Sequence, residues 1–188
     1  MRVYFIRHGE SETNLSKKWT GWMNVSLTEK GIEDAKKAGE FLKDISFDKV
    51  FSSDLDRARI TAQTALPNAE IDSSALLREI NVGNISGHPF SVISDEERAF
   101  ALMNGYKRYG GESKEEFYER ISAFKEELAA LELDTVAVFT HAGLMRGMLD
   151  TVINARLTYQ CVACNNCAVS IFDYTNGVWS LHSWINLT

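Results

Sequence analysis

The chain opens with Val3-Tyr4-Phe5-Ile6-Arg7-His8-Gly9-Glu10-Ser11, a short apolar run that passes directly into an arginine, a histidine and a glycine. The apolar part, Val3 to Ile6, predicts a buried strand. In open α/β sheets ligands bind at the carboxyl ends of strands, and Gly9 allows the chain to turn sharply there. A guanidinium beside an imidazole at such a turn favours an anion site, with an ordinary surface turn as the alternative.

Length and composition are typical of one globular domain spanning residues 1–188. The chain is 45% hydrophobic and 24% charged, which is enough for a substantial core. Its formal net charge of -6 argues against a broad surface for nucleic acid or anionic membranes. No apolar stretch approaches the roughly 20 residues of a membrane helix, and the first one ends at Arg7. We therefore expect a cytoplasmic protein without a signal peptide; the sequence leaves the oligomeric state open.

Three cysteines, Cys161, Cys164 and Cys167, form a C-x-x-C-x-x-C run. Such spacing occurs in metal and iron–sulfur sites. A closed tetrahedral site would have to recruit His182 or another chain as its fourth ligand, and Cys167 begins an alternating stretch that predicts a strand. We interpret the three residues as reduced, partly buried thiols and predict no metal site.

The periodicity of the remaining chain predicts alternating strands and helices. Residues 48–53 predict a strand followed by a helix over 55–66, and Thr135–Thr140, apolar almost throughout, predicts a central parallel strand. This βαβα order favours an α/β fold with a mostly parallel sheet. Further predictions are a helix from Glu29 with Ser26 and Glu29 as a capping box, and a loop-rich crossing over 75–87. Helices are predicted over 90–103, with Ser94 and Glu97 as an internal capping pair, and over 144–153. A long helix is capped by Ser113 and Glu116, and residues 167–174 and 178–185 form a hairpin around Asn176-Gly177.

Three residues that suit phosphate binding follow predicted strands. His8 and His141 each precede a residue pair that can open a helix or a tight turn, where unpaired backbone N–H groups favour a doubly charged ligand such as phosphate. Arg7 adds a planar guanidinium suited to bidentate contact with phosphate. The two strand ends are therefore predicted to form one anion site.

Arg57 lies in the first turn of the helix that follows the strand 48–53. It can supply a second guanidinium at the same sheet edge. The alternative is a surface arginine paired with Asp54 or Asp56, an interaction that contributes little to stability. The spacing alone does not decide between the two.

Short polar and glycine-containing motifs recur in order along nearly the whole chain. They are Arg7-His8-Gly9-Glu10-Ser11 with Asn14, Thr20-Gly21-Trp22, 27–31, 52–58 with 61–62, Leu77-Arg78-Glu79 with Gly83 and Gly87, Gly110-Gly111-Glu112-Ser113, and Thr140-His141-Ala142-Gly143. The set resembles the histidine phosphatase superfamily, which contains cofactor-dependent phosphoglycerate mutases and small acid-type phosphatases. As a set, these motifs are highly specific.

The resemblance implies a three-layer α/β/α fold and a two-step phosphoryl transfer. His8 is implied as the nucleophile, whose Nε2 attacks phosphorus to form a phosphohistidine that water then opens. Glu79 occupies the position of the family's proton donor, and for that role it has to carry a proton in the substrate complex. No metal or cofactor is implied, because two arginines and two histidines neutralise the charge. The residues implied to hold the phosphoryl oxygens are Arg7, Arg57 and His141, and those implied to bind the phosphate or ester further are Asn14, Thr20, Gly21 and, through its backbone N–H, Ala142.

The resemblance is nearer to the phosphatase branch, because the chain has Gly110-Gly111-Glu112-Ser113 and only a short segment between Glu79 and Gly110. We expect a metal-independent phosphomonoester hydrolase whose partner is a small phosphorylated metabolite, with no role for nucleic acid or membranes. The alternatives are a phosphoglycerate mutase, with Lys107 and Arg108 for the substrate carboxylate, an α-ribazole phosphate phosphatase, and a non-catalytic phospho-ligand binder. The aromatic residues that either line the substrate cleft or belong to a satellite core are Trp19, Trp22 and Phe90.

Overall fold

The computed structural model describes residues 1–155 and 161–187. Within these ranges the chain forms six strands and six helices, and none of the helices is long and apolar enough to cross a membrane. The strands are β1 (Arg2–Arg7), β2 (Lys49–Ser53), β3 (Ile71–Ser74), β4 (Thr135–Thr140), β5 (Val169–Thr175) and β6 (Val178–Ile185). The helices are α1 (Glu12–Leu15), α2 (Glu29–Leu42), α3 (Asp56–Ala65), α4 (Asp95–Asn104), α5 (Lys114–Ala130) and α6 (Ala142–Ile153).

One six-stranded sheet, in the order β3-β2-β4-β1-β5-β6, forms the centre of the described chain. β1 is parallel to β4, β4 to β2, and β2 to β3. β5 runs antiparallel to both β1 and β6, so five of these six strands share one direction. The predicted, mostly parallel sheet is confirmed. The register pairs Arg7 with Thr140, which brings the carboxyl ends of β1 and β4 side by side.

Helices cover both faces of the sheet. Successive residues of a strand point to opposite faces, so the central strands have apolar side chains on both sides and form two buried clusters. On one face Phe5 of β1 belongs to a buried cluster with Phe117 of α5 and with residues of α6. On the other face Ile6 belongs to a second cluster with Leu42 of α2 and Ala62 of α3. The three-layer α/β/α class implied by the family resemblance is therefore confirmed.

Helix α2 begins at a different cap from the one predicted. Its N-cap is Thr28, whose Oγ1 accepts a hydrogen bond from the N–H of Gly31 at 3.0 Å. The same hydroxyl donates to Oε1 of Glu10 at 2.9 Å, which fixes the helix start against the turn after β1. The capping box predicted for Ser26 and Glu29 is therefore wrong.

Two differences from the predicted elements lie between residues 67 and 104. β3 pairs in parallel with β2, but its sequence Ile-Asp-Ser-Ser has one apolar residue and no alternating pattern, so no strand was predicted there. The helix predicted over 90–103 is divided, because a 3-10 turn, Phe90–Val92, precedes α4. The predicted pair Ser94 and Glu97 forms a capping box at the start of α4 instead of inside a longer helix.

The carboxyl-terminal hairpin is confirmed as β5 and β6. Its turn residues Asn176 and Gly177 have φ angles of 51° and 83°, which are characteristic of the tight turns that join antiparallel strands. Cys167 has a φ of 56° and precedes the strand instead of starting it.

The three cysteines are free thiols, with Cys161 exposed and Cys164 and Cys167 buried. Burial raises the pKa of Cys167 to about 12, helped by the charge of a nearby aspartate. His182, the candidate fourth ligand, lies against Asp173, with Nδ1 3.3 Å from Oδ2. Across residues 1–155 and 161–187 no three His, Cys, Asp or Glu residues form a group that could hold a metal ion.

Candidate active site

Two histidines meet at the carboxyl edge of the sheet because their strands are neighbours. His8 follows β1 and His141 follows β4, and the backbone N–H of His8 donates to the carbonyl of Thr140 at 2.9 Å. The two ring centroids lie 5.2 Å apart, and the ring planes make an angle of 61°. Both side chains are buried. The structure thus brings together the two histidines that the sequence placed at separate strand ends.

A hydrogen bond to the main chain fixes the tautomer of His8. Its Nδ1 lies 2.7 Å from the carbonyl oxygen of Gly9. Because a carbonyl oxygen only accepts, Nδ1 carries the hydrogen and Nε2 keeps its lone pair. Burial lowers the pKa of His8 well below its ordinary value, and the charges of Arg57 and Arg7 lower it further. The ring is therefore neutral and nucleophilic at neutral pH.

Close packing holds the turn that carries His8. A Cβ on Gly9 would lie 2.2 Å from the carbonyl oxygen of Gly31, so the approach of α2 requires glycine. The N–H of Gly9 donates to Oγ1 of Thr61 at 3.0 Å, and the carbonyl of His8 accepts from Nδ2 of Asn166 at 3.1 Å. Asn166 was missed by the sequence analysis, because its loop gives no local signal that it reaches β1.

Arg57 is buried, with 1% of its surface exposed. Its Nη1 donates to the carbonyl of Met23 at 2.9 Å and its Nη2 to that of Gly21 at 2.8 Å. Burial lowers its pKa to about 10, although the charge of Glu79 acts in the opposite direction. The guanidinium therefore remains charged at neutral pH. Its Nε is buried and has no hydrogen-bond partner among the described residues.

The alternative position of Arg57, in a surface ion pair, is wrong. Asp54 accepts two hydrogen bonds from Arg78, at 2.7 and 2.5 Å. Asp56 accepts from Arg59 at 2.7 Å. Both candidate partners are therefore bound by other arginines, and Arg57 turns inward to the site.

His141 has one nitrogen bound to the protein and one without a partner in the described part of the chain. Its Nε2 lies 3.0 Å from Oγ of Ser53, whereas its buried Nδ1 has no hydrogen-bond partner there. Burial lowers the pKa of His141 well below its ordinary value, with further lowering by Arg57 and His8. Buried polar atoms without partners are rare, so this nitrogen and Nε of Arg57 suit a ligand with several oxygens.

The remaining residues implied by the resemblance line one cleft with a volume of 230 Å³. Arg7 enters the cleft while its Nη1 donates to the carbonyl of Cys164 at 2.6 Å. Asn14 is oriented through its Oδ1, which accepts from Nδ2 of Asn166 at 3.1 Å. The implied residues that line this cleft are Arg7, Asn14, Thr20, Gly21, Glu79 and Ala142.

Hydrogen bonds hold both the carboxylate and the main-chain carbonyl of Glu79. Its carboxylate accepts from the N–H of Gly143, in the first turn of α6, at 3.0 Å and from that of Ile80 at 2.9 Å. A Cβ on Gly143 would lie 2.0 Å from Oε1, so glycine is required for this approach. The carbonyl of Glu79 accepts from Nε1 of Trp22 at 2.7 Å and from Nη2 of Arg120 at 3.1 Å.

Two further cations, Lys18 and Arg146, line the cleft. Neither was predicted from the sequence, although Lys18 directly precedes the Trp19-Thr20-Gly21 stretch and Arg146 follows His141 by little more than one helical turn. Lys107 and Arg108, which were considered for a substrate carboxylate, instead form ion pairs with glutamates of α5 and α4.

Aromatic residues form one wall of the cleft. Trp19 and Phe90 both line it, with ring centroids 5.1 Å apart, and Trp19 also contacts Tyr106 at 5.7 Å. Trp19 belongs at the same time to a satellite buried cluster, so both interpretations of this residue hold. Trp22 lies instead against Arg78, whose guanidinium carbon Cζ is 4.8 Å from the centroid of the tryptophan ring.

The sequence matches a known family over nearly the whole chain. The model of the histidine phosphatase superfamily (branch 1) matches residues 3–187. The chain belongs to the histidine phosphatase superfamily. The resemblance of the sequence motifs is therefore confirmed. Because members of this family are phosphatases or mutases, this chain is that of an enzyme.

Proteins similar to this chain are named for different enzyme activities. The probable phosphoglycerate mutase GpmB of Salmonella choleraesuis (strain SC-B67) is 27% identical, covering 98% of this chain and 90% of its own. The structure of phosphoglycerate mutase from Bacillus anthracis str. Sterne is 26% identical, with a TM-score of 0.84 and coverage of 97% and 92%. A putative alpha-ribazole-5'-P phosphatase from Escherichia coli str. K-12 has a TM-score of 0.87 at 24% identity and coverage of 100% and 98%, a likeness of fold alone.

Proposed function

We propose that this enzyme hydrolyses small phosphomonoesters through a phosphohistidine formed at His8. The observation that carries the proposal is the tautomer of His8, whose Nδ1–H is held by the carbonyl of Gly9 while Nε2 keeps its lone pair. Arg57 and Arg7 place positive charge near this imidazole. That charge stabilises an approaching phosphate dianion.

In the first step Nε2 of His8 attacks phosphorus, and the bond from phosphorus to the ester oxygen breaks. The alcohol leaves with a proton supplied by Glu79. Charge spreads over the three equatorial oxygens, which Arg7, Arg57 and His141 bind. Nε of Arg57 and Nδ1 of His141, both buried and without partners among the described residues, supply donors for these oxygens.

In the second step water attacks the phosphohistidine and Glu79 takes its proton. The bond from Nε2 of His8 to phosphorus breaks, orthophosphate leaves, and Nε2 regains its lone pair. We propose no metal for either step, because the arginines and histidines supply the required charge stabilisation. The groups proposed to contact the phosphate or ester from the cleft are Asn14, Thr20, Gly21 and the backbone N–H of Ala142.

The size of the cleft supports a small metabolite as the substrate. Its volume of 230 Å³ is small beside the roughly 300–1,000 Å³ of pockets for drug-sized ligands. Trp19 and Phe90 give it an apolar wall, and this suits the carbon skeleton of the leaving alcohol. A phosphorylated metabolite of a few carbon atoms fits this volume, whereas a nucleic acid chain does not.

Phosphoglycerate mutase activity is a second candidate, favoured by the cations Lys18 and Arg146 in the cleft. A mutase has to hold the substrate carboxylate while the phosphoryl group is at the histidine, and two cations beyond the phosphoryl site meet that need. Two of the relatives described above are also named phosphoglycerate mutases. The two activities differ in whether water or a second hydroxyl accepts the phosphoryl group.

Hydrolysis of p-nitrophenyl phosphate in excess chelator, at mildly acidic to neutral pH, tests the proposal. We expect turnover by the parent enzyme and its loss in His8→Ala. Turnover that persists in His8→Ala would contradict the assignment of the nucleophile, and turnover abolished by chelator would contradict the metal-free mechanism.

A second assay separates hydrolysis from mutase activity. The enzyme is phosphorylated with 2,3-bisphosphoglycerate and then chased with buffer alone or with 3-phosphoglycerate. Rapid release of orthophosphate in buffer supports a phosphatase. A phosphoenzyme that resists water and transfers its label to 3-phosphoglycerate selects the mutase, and a panel that includes α-ribazole phosphate and short-chain phosphates then ranks substrates.

A further inference from the structure

Arg120 of α5 uses every donor that its side chain has. A guanidinium carries five N–H groups. Nε and Nη2 donate to the two carboxylate oxygens of Glu112 at 3.0 and 2.9 Å. Nη1 donates to the carbonyls of Leu76 and Arg78 at 2.7 and 2.8 Å, and the second N–H of Nη2 reaches the carbonyl of Glu79 at 3.1 Å. Three carbonyls in the short segment that ends at Glu79 are therefore bound by one side chain.

Glu112 binds the main chain on the carboxyl-terminal side of Glu79. Its Oε2 accepts from the N–H of Asn81 at 2.7 Å, and its own N–H donates to the carbonyl of Asn81 at 2.9 Å. The side chains of Arg120 and Glu112 are only 11% and 13% exposed. This shielding makes a bidentate pair stronger than an exposed ion pair. The main chain on both sides of Glu79 is thus held by one arginine–glutamate pair.

Trp22 also binds the main chain at Glu79 and lies near Arg120. Its Nε1 donates to the carbonyl of Glu79 at 2.7 Å, and the guanidinium of Arg120 lies 6.0 Å from its ring centroid and 5.0 Å from that of Phe117. The carbonyl of Glu79 therefore accepts two hydrogen bonds, while its carboxylate accepts from Ile80 and from α6. Each contact constrains the direction in which the carboxylate points.

We propose that Arg120 is a positioning residue, which holds the main chain at Glu79 so that its carboxyl group faces the leaving oxygen of the substrate. This inference rests on the proposed function, because it assumes that Glu79 is the proton donor. A misplacement of about 1 Å in a reacting group costs roughly 10²-fold in rate. Arg120 contributes through geometry, and a lysine, with three donors and no planar fork, does not reproduce it.

The test uses Arg120→Lys, which retains the positive charge and removes the five-donor geometry. The quantity measured is kcat/KM for a series of aryl phosphates from p-nitrophenyl to phenyl phosphate, extended to an alkyl phosphate. It reports transfer to His8, the step in which the leaving group departs. We expect little loss for p-nitrophenyl phosphate, whose phenolate leaves without a proton, and about 10²-fold loss for the alkyl ester.

Two controls separate positioning from general weakening of the fold. Phe124→Leu changes a buried residue of the same helix that packs on Phe51, and we expect it to leave the dependence on the leaving group unchanged. Trp22→Phe removes one donor to the carbonyl of Glu79 and keeps an aromatic ring. It is the second variant if Arg120→Lys does not fold, and we expect the same dependence in weaker form.

A double variant identifies the residue through which Arg120 acts. If Arg120 positions Glu79, Arg120→Lys should add no further loss for the alkyl ester in a Glu79→Gln background. Equal loss for all esters, additive with Glu79→Gln, would overturn the positioning role while leaving Glu79 as proton donor. If Glu79→Gln itself lowers kcat/KM equally for all esters, the proton-donor role in the proposed function fails, and the positioning role fails with it.

Discussion

At the scale of single residues, burial and neighbouring positive charge act in the same direction on His8 and His141. Both have a pKa well below the ordinary value of 6.5, first because of burial and then because of Arg57. A neutral His8 suits a nucleophile, and the guanidiniums that add to the effect of burial on its pKa are the ones proposed to bind the phosphoryl group. The same groups therefore help to keep the nucleophile neutral and supply the positive charge of the site.

The two depressed pKa values predict how stability depends on pH. In the unfolded chain both histidines bind protons as pH falls below about 6.5, whereas in the folded protein they do not. The stability they contribute is therefore complete above pH 6.5 and is lost as pH falls toward their lowered pKa values. Each proton accounts for a slope approaching about 1.4 kcal/mol per pH unit.

Chemical denaturation between pH 6.5 and about 5.5 measures this slope, in a range chosen to limit carboxylate titration. We expect His141→Gln to make the free energy of unfolding fall less steeply with decreasing pH than in the parent. His88→Gln, at an exposed histidine, is the control and should keep the parent slope. Equal slopes in His141→Gln and the parent would show that His141 takes up no extra proton on unfolding.

At the scale of elements, the site depends on where helices begin against the strand ends. Thr28 caps α2 and also donates to Glu10, and so joins the helix to the turn after β1. Removing this hydroxyl in Thr28→Ala should lower the free energy of unfolding by about 1 to 2 kcal/mol. Ser26→Ala, at the exposed serine first considered as the cap, is the matched control in denaturant unfolding and should change it little. A larger loss in Ser26→Ala would contradict the assignment of the cap.

The sequence predicted those elements whose pattern is local. Val3 to Ile6 and Thr135–Thr140 are apolar runs that each lead into a histidine. The placement of both histidines at one edge of a parallel sheet therefore followed from the rules for such sheets, whereas the neighbouring position of β1 and β4 is known from the structure. β3 was missed because a polar strand at the sheet edge has no apolar alternation. The cap of α2 was misplaced because both Ser26 and Thr28 are good caps, and only the contact with Glu10 decides between them.

For the candidate site, the residues that carry motifs were predictable and those that orient them were not. His8 and His141 lie directly after strand ends, and Arg57 lies in the first turn of the helix that follows β2. Asn166 and Arg120 are distant in sequence from the residues they hold, and no spacing links them before the chain is folded. Their contacts with the carbonyls of His8 and Glu79 are products of the tertiary structure alone.

At the scale of the whole molecule, an acidic protein contains a cationic cleft. The net charge is -6, yet the cleft is lined by Arg7, Lys18 and Arg146, with Glu79 as its acidic residue. The sheet makes this possible, because β1, β2 and β4 end at one edge and each contributes part of the site. The chemistry proposed for this cleft requires that the phosphoryl group be carried by one histidine only.

The position of the phosphoryl group is the most direct test of the proposed mechanism. The enzyme is mixed with a ³²P-labelled phosphomonoester, quenched in alkali, in which phosphohistidine is stable, and digested with trypsin. His8 and His141 then lie on separate peptides, residues 8–17 and 126–146. We predict an acid-labile label on the peptide 8–17 that is absent from His8→Ala. An acid-stable label, or one on the peptide 126–146, would contradict a phosphohistidine at His8.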